Sequence, residues 1–85
     1  MINNKIKLVP GKLYRNNSFA WVVYHNKTQK ICSYIPKNSI FLYLNHEPYE
    51  NPYKKCIRIN ILFEDKILRI EKLTLERFLN QIQLP

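Results

Sequence analysis

Four side chains of this 85-residue sequence belong to the types that bind transition metals, and they are spread along the chain. They are two histidines and two cysteines: His25, Cys32, His46 and Cys56. Zinc modules present their ligands in close pairs, about two to five residues apart, because one turn directs two ligands at the same ion. These four residues form no such pair. The sequence therefore predicts no metal site, and it contains no motif for another cofactor.

Four of the six carboxylates form two small groups that could, by residue type, perform acid–base catalysis. Glu47 and Glu50 stand beside prolines, and Glu64 and Asp65 lie between two apolar runs. Acids in such places are ordinary solvent-exposed turn residues. The serines lack a glycine-rich elbow, and a chain with a single glycine cannot build a loop that cradles phosphate. We therefore expect neither an enzyme nor a small-molecule substrate.

The distribution of charge is the strongest functional signal in the sequence. The formal net charge is +8. Residues 1–46 hold seven lysines and arginines without one acid, whereas residues 47–85 hold the other seven bases and all six acids. Such asymmetry attracts a polyanion, whether nucleic acid, an anionic membrane or an acidic protein. The same bases could also do no more than keep the protein in solution, and the sequence leaves both possibilities open.

Bases in the first half alternate with aromatic residues, as they do in proteins that bind single-stranded nucleic acid. In those proteins a positive groove holds the phosphates and aromatic rings stack on the bases. The candidate nucleic-acid-binding residues are Lys12, Tyr14, Arg15, Tyr24, Lys27 and Lys30. Trp21 lies in a strongly apolar run, so we assign it to the core. The first hypothesis is a small, basic, non-catalytic module that contacts nucleic acid or a nucleoprotein.

A second hypothesis concerns residues 45–53, where two prolines interrupt the apolar pattern. Proline is excluded from central strands, so we predict a long irregular loop. Loops of this length in small domains are commonly functional, and tyrosine is enriched at protein-binding hot spots. The candidate partner-binding residues on this loop are His46, Tyr49 and Tyr53. In this hypothesis the protein is an assembly subunit, or an inhibitor that docks onto a larger protein.

Short apolar runs separated by turn residues must position these side chains. The alternation of apolar and polar residues over 55–63 predicts a strand with one buried face. Within residues 39–44, the five positions after Ser39 are all apolar, which favours a central strand covered on both faces. Thr74 is a helix N-cap candidate, and the apolar spacing after it predicts an amphipathic helix over 74–83. The helix is expected to pack over an open end of the sheet.

The fold that these elements predict is a mainly β single domain covering residues 1–85. Five to seven short strands form a small barrel over residues 1–71, and the C-terminal helix covers it. The sequence has no run of about 18 apolar residues, so we expect no transmembrane helix and no membrane partner. The first residues alternate lysine and isoleucine without an apolar signal region, which predicts a cytoplasmic protein.

Three segments resemble the turns and strands of a known group of folds. They are residues 10–15, which begin with Pro10-Gly11, residues 35–44, whose turn carries Asn38 where a glycine is typical, and residues 61–70. Their order is similar to that of small SH3-like barrel proteins, particularly those encoded by bacteriophages. The resemblance implies an SH3-like barrel located in a host cytoplasm or a virion. It implies no particular activity, because such barrels bind peptides, nucleic acid or other subunits.

Overall fold

The computed structural model describes residues 6–25, 28 and 30–85, with the backbone alone at positions 31 and 32. These residues form seven β-strands and one short α-helix. The strands are β1 (Leu13–Asn16), β2 (Trp21–His25), β3 (Ile31–Ile35), β4 (Ile40–Asn51), β5 (Lys54–Phe63), β6 (Lys66–Lys72) and β7 (Ile82–Gln83), and the helix is α1 (Leu75–Leu79). The prediction of a mainly β chain with a helix near its end is confirmed.

The strands of this described part belong to one antiparallel sheet with the order β3-β2-β6-β5-β4-β1-β7. The sheet curls into a half-barrel. Its tight turns use left-handed backbone: Glu64 and Asp65 between β5 and β6 have φ of 50° and 64°. Two residues with positive φ give a hairpin turn whose twist matches the right-handed twist of the strands. The turn predicted at this place is therefore confirmed.

The core lies on the inner face of the curl and contains a cluster of four aromatic rings. Trp21 packs with its ring centroid 5.7 Å from those of both Phe41 and Phe78, and Tyr14 adjoins Phe41 at 6.4 Å. All four side chains are buried, so the assignment of Trp21 to the core is confirmed. Burying one such side chain stabilises the fold by roughly 1.5–3 kcal/mol.

Asn16 joins two strands that stand far apart in the sheet order. Its buried side-chain Nδ2 donates to the carbonyl of Ile35, at the end of β3, at 3.1 Å, and to that of Phe19 at 3.0 Å. Its Oδ1 accepts from the backbone N–H of Ser18 at 3.0 Å. Because β1 and β3 are the sixth and first strands in the order, these bonds connect the two sides of the half-barrel.

The predicted alternation in β5 is confirmed, whereas the prediction for β4 is wrong in one respect. In β5, Ile59 and Ile61 are buried and Leu62 is exposed. In the first half of β4, Phe41 is buried but the outward-facing Leu42 is only half-buried. That strand is thus covered on one face and not on two, because its outer face carries no second layer among the described residues.

Helix α1 is shorter than the sequence predicts. Thr74 is the N-cap, with its side-chain oxygen accepting from the Arg77 N–H at 3.1 Å, so that part of the prediction is confirmed. The helix ends at Leu79, and Ile82 belongs to β7 instead of a last helical turn. Pairing of β7 with β1 replaces those helical hydrogen bonds. No helix within residues 6–25 and 30–85 is long and apolar enough to cross a membrane.

The loop predicted for residues 45–53 is wrong, since the structure shows a β-hairpin there. Strand β4 continues to Asn51, and β5 begins at Lys54. Pro48 lies opposite Ile57 in this hairpin. A proline is tolerated at this position because, in the described structure, β4 has β5 on one side and no strand on the other beyond residue 43. We name residues 45–58 the hairpin arm.

Candidate binding cleft

A cleft of about 690 Å³ opens at the β1–β7 side of the sheet, and we name it the edge cleft. It lies between the segment that leads into β1 and the α1–β7 region. Half of its wall is aliphatic, and the rest consists of lysines and side-chain amides. The lining residues are Ile6, Lys7, Val9, Lys12, Asn17, Leu79, Asn80, Ile82, Gln83 and Leu84.

One wall of the edge cleft is a segment without regular structure that Tyr14 holds in place. The Val9 N–H donates to the Tyr14 hydroxyl at 2.9 Å, and that hydroxyl donates to the Lys7 carbonyl at 2.7 Å. Gly11, at φ 83°, turns the chain into β1, and its N–H donates to the Tyr43 carbonyl at 2.8 Å. These bonds fix the backbone that carries Lys7 although no strand includes it.

The opposite wall is held by the residues between α1 and β7. The Gln81 carbonyl accepts from the Asn17 N–H at 2.8 Å, and its side-chain Oε1 accepts from the Trp21 indole N–H at 3.0 Å. Ile82 then turns its side chain into the core, while Gln83 pairs with β1. This wall of the cleft is therefore fixed by contacts with the same aromatic core that stabilises the sheet.

Positive charge without a neighbouring acid characterises the edge cleft. Lys7 and Lys12 are exposed on its rim, and no Asp or Glu lines it among the described residues. Arg15 on β1 and Lys37 in the turn before β4 are two further bases near β1, although neither lines the cleft. A separate depression of about 260 Å³ beside the hairpin arm is lined by both an acid and a base, so it offers no comparable preference for an anion.

The residues predicted to bind nucleic acid lie on different strands, and one of them is buried. Tyr14 is fully buried, so the prediction that its ring could stack on a base is wrong; its position in β1 faces the core. Lys12 and Arg15 lie at β1, whereas Tyr24 and Lys30 lie at β2 and before β3, four and five strands away in the sheet order. At about 4.8 Å per strand, this is roughly 20 Å along the sheet. Lys27 lies outside the described residues.

The residues predicted to bind a partner occupy the hairpin arm in three different settings. His46 is exposed, and its Nδ1 lies 2.5 Å from the Tyr43 hydroxyl, with burial and the nearby Tyr14 raising the pKa of Tyr43. Tyr49 is half-buried beneath the Arg58 guanidinium, 3.3 Å from the ring centroid. Tyr53 stands at the tip and is 95% exposed. Of these three side chains, only that of Tyr53 is almost completely exposed to solvent.

Polar contacts hold the arm against β6. Arg58 pairs with the Glu71 carboxylate at 3.3 Å, and Lys54 makes an ion pair with the same carboxylate. The hydrogen bond that Lys54 donates to the Glu71 carboxylate raises the pKa of Lys54 above its ordinary value. The Asn60 side chain also donates to that of Asn45 at 2.7 Å. The arm is thus ordered by surface charges and amides, with a cation–π contact at its centre.

Lys72 occupies the boundary between the arm and the aromatic core. Its Nζ lies 4.6 Å from the Trp21 ring centroid and 5.5 Å from that of Phe19. Burial lowers the pKa of Lys72 from its ordinary value of 10.5 to about 8. This lysine covers the edge of the core with its stem and places its amine against the rings.

The residues that sequence reasoning missed are Lys7 and the C-terminal wall of the edge cleft. Lys7 contributed to the charge count, and the turn at Gly11 marked the end of its segment, but neither signal indicated a cleft. Leu84 follows a two-residue strand that is too short to leave a periodic pattern. Within residues 6–25, 28 and 30–85, no group of three or more histidines, cysteines and acids could hold a metal ion.

No protein-family model, curated protein or solved structure matches this chain.

Proposed function

We propose that the protein is a non-catalytic binding module that holds an acidic, apolar protein segment in the edge cleft. The observation that supports this proposal is the composition of the cleft wall, where aliphatic residues make up half of the lining beside Lys7 and Lys12. Aliphatic walls bind apolar side chains, and lysines without a neighbouring acid attract carboxylates. The volume of about 690 Å³ lies within the range of functional binding clefts.

A protein segment suits this cleft better than nucleic acid does. Single strands are held by stacking on aromatic rings, and the cleft wall has none among the described residues. The ring proposed for stacking, Tyr14, is buried, and Tyr24 lies across the sheet. In this proposal the bases of the first half of the sequence still attract an anion. That anion is a protein segment that carries carboxylates.

We also propose that the half-barrel is of the SH3-like kind, and that the module serves an assembly in a host cytoplasm or a virion. Support comes from the left-handed turns at Gly11 and Asn38 and from the Asn16 bonds across the half-barrel. The fully exposed Tyr53 would supply a second contact with the same assembly, since exposed tyrosine is enriched at protein-binding hot spots.

Charge reversal at the cleft tests the proposal. The probe is a fluorescent peptide of alternating valine and glutamate, compared with one of alternating valine and lysine and with short single-stranded DNA and RNA. We expect the acidic peptide to bind, and Lys7→Glu combined with Lys12→Glu to weaken it about tenfold or more. The matched control, Lys55→Glu with Lys66→Glu, changes the net charge equally but leaves the cleft intact, so it should retain most of the affinity.

Two outcomes would contradict the proposal. Equal loss of peptide binding in both double variants would mean that net charge, and not the cleft, attracts the peptide. Tight binding of DNA or RNA that collapses between about 50 and 200 mM salt, with no binding of the peptide, would restore the nucleic-acid hypothesis.

A further inference from the structure

A row of four aliphatic residues crosses the outer face of the sheet, and we name it the apolar row. The strand register places its members directly beside one another on four adjacent strands: Leu13, Leu42, Leu62 and Ile67. Each of them alternates with a residue that faces the core, so all four face outwards. Three are 36–50% exposed, and Ile40 adjoins them at 42%. An apolar row across four strands is more than the scattered exposed residues of an ordinary surface.

Opposite charges stand at the two ends of the apolar row, on the same side of it. Arg15 lies two residues beyond Leu13, level with Ile40. Strands β1 and β5 run in the same direction, because both are antiparallel to β4. Strand β5 continues from Leu62 into the turn of Glu64 and Asp65, so this turn lies on the same side of the row as Arg15. Along the strands, both charges are therefore about two residues, or roughly 7 Å, from the row.

This arrangement is complementary to a second copy of itself. A two-fold axis that runs parallel to the strands, between Leu42 and Leu62, brings the centres of two convex outer faces into contact and places Leu13 on the same side of the dimer as Ile67 of the other copy. The same rotation does not move any residue along the strand direction, so equivalent residues of the two copies stay at the same level. It therefore brings Arg15 of one copy opposite the Glu64 turn of the other, twice in each dimer. Sheets that stack with aligned strands are a common packing arrangement.

We propose that this face is a homodimer interface, in which two apolar rows pack together and Arg15 pairs with the Glu64 turn across the two-fold axis. Isologous contacts of this kind are the commonest way in which soluble proteins form dimers. The patch is small beside a standard interface, which buries about 1,600 Å². The expected dimer is consequently a weak one, with a dissociation constant in the micromolar range.

Sedimentation equilibrium across a wide range of protein concentrations tests this proposal. We expect Ile67→Glu to abolish the dimer, since it places a carboxylate within the apolar row. The matched control is Leu73→Glu, which changes another exposed aliphatic residue outside the row. It should leave the dimerisation constant within about twofold of that of the wild type. Circular dichroism and thermal unfolding of each variant show whether it has folded.

A charge exchange tests the orientation of the two copies. Arg15→Glu places like charges opposite each other and should weaken the dimer about tenfold, and the added change Glu64→Arg should restore most of that loss. A wild-type protein that stays monomeric up to millimolar concentration would overturn the proposal. A dimer that is indifferent to Ile67→Glu, or an Arg15→Glu variant that Glu64→Arg fails to restore, would overturn it as well.

Discussion

The body of the half-barrel and the hairpin arm are held together by different forces. In the body, rings and aliphatic side chains pack on the inner face of the sheet, and Trp21 and Phe78 are almost completely buried. In the arm, Cys56 is the only buried residue among residues 45–58. The arm is held in place by Arg58, which contacts the Tyr49 ring and pairs with Glu71. Burying an apolar side chain contributes roughly 1.5–3 kcal/mol, whereas an ion pair in contact with water contributes about 0–1 kcal/mol. The global stability therefore depends on the body, whereas the arm can change without unfolding the protein.

The largest effect should come from removing a ring at the centre of the body. Trp21→Ala leaves a cavity beside Phe41 and Phe78 and removes the hydrogen bond to Gln81, so we expect the free energy of unfolding to fall by about 3–5 kcal/mol. Chemical denaturation measures this loss. A decrease below about 1 kcal/mol would mean that the aromatic cluster does not carry the stability of the body.

The next effect concerns the polar connection across the half-barrel. Asn16→Ala leaves the Ile35 carbonyl without the amide that it accepts from, and buried polar groups without partners cost about 1–3 kcal/mol each. We expect a loss of about 2 kcal/mol in denaturant unfolding. Asn17→Ala is the control, because Asn17 is exposed and contributes its backbone N–H, which alanine retains. Equal losses in the two variants would contradict this role of the Asn16 side chain.

A smaller effect should follow in the arm. Arg58→Ala removes the cation–π contact with Tyr49 and one ion pair of Glu71, and we expect less than about 1 kcal/mol of global stability to be lost. Amide hydrogen exchange should nevertheless accelerate in residues 46–57 and stay unchanged in β2 and β6. Accelerated exchange throughout the sheet would show that the arm and the body form one cooperative unit.

A further effect, which depends on pH, lies at the boundary where Lys72 meets Trp21. Its folded pKa is lowered to about 8 from 10.5, so between these pH values the unfolded chain binds the extra proton. Stability should therefore rise as the pH increases from about 8 to 10.5, and the full penalty should be present below pH 8. Unfolding of the wild type and of Lys72→Met, measured across that interval, isolates this contribution. A difference between the two proteins that does not vary with pH would contradict it.

Sequence patterns predicted the body well because period-two alternation reports burial directly. The strand over residues 55–63, the turn at Glu64 and the burial of Trp21 all follow from that signal. The end of the helix could not be predicted, because the side chain of Ile82 would be buried both in a last helical turn and in a short strand. The apolar pattern does not distinguish the two. The arm was missed because Pro48 excludes a central strand but is compatible with a strand edge, and only the final topology shows which is present.

The candidate sites were harder to predict than the fold. Alternation shows that Tyr14 and Arg15 face opposite sides of β1, but it does not show which side is the core. The edge cleft is built from residues near both ends of the chain, Lys7 and Leu84 among them, and no local pattern connects them. The apolar row likewise depends on the register of four strands, which only the folded sheet establishes.

The position of β1 between β4 and β7 also sets the order in which the protein can fold. During synthesis β1 emerges early, but its partners at residues 40–42 and 82–83 emerge much later. Until then its backbone groups and the ring of Tyr14 remain available to other chains, and non-local strand pairing is slow and prone to aggregation. Strand β1 therefore stays incompletely paired until residues 40–42 and 82–83 have both been made.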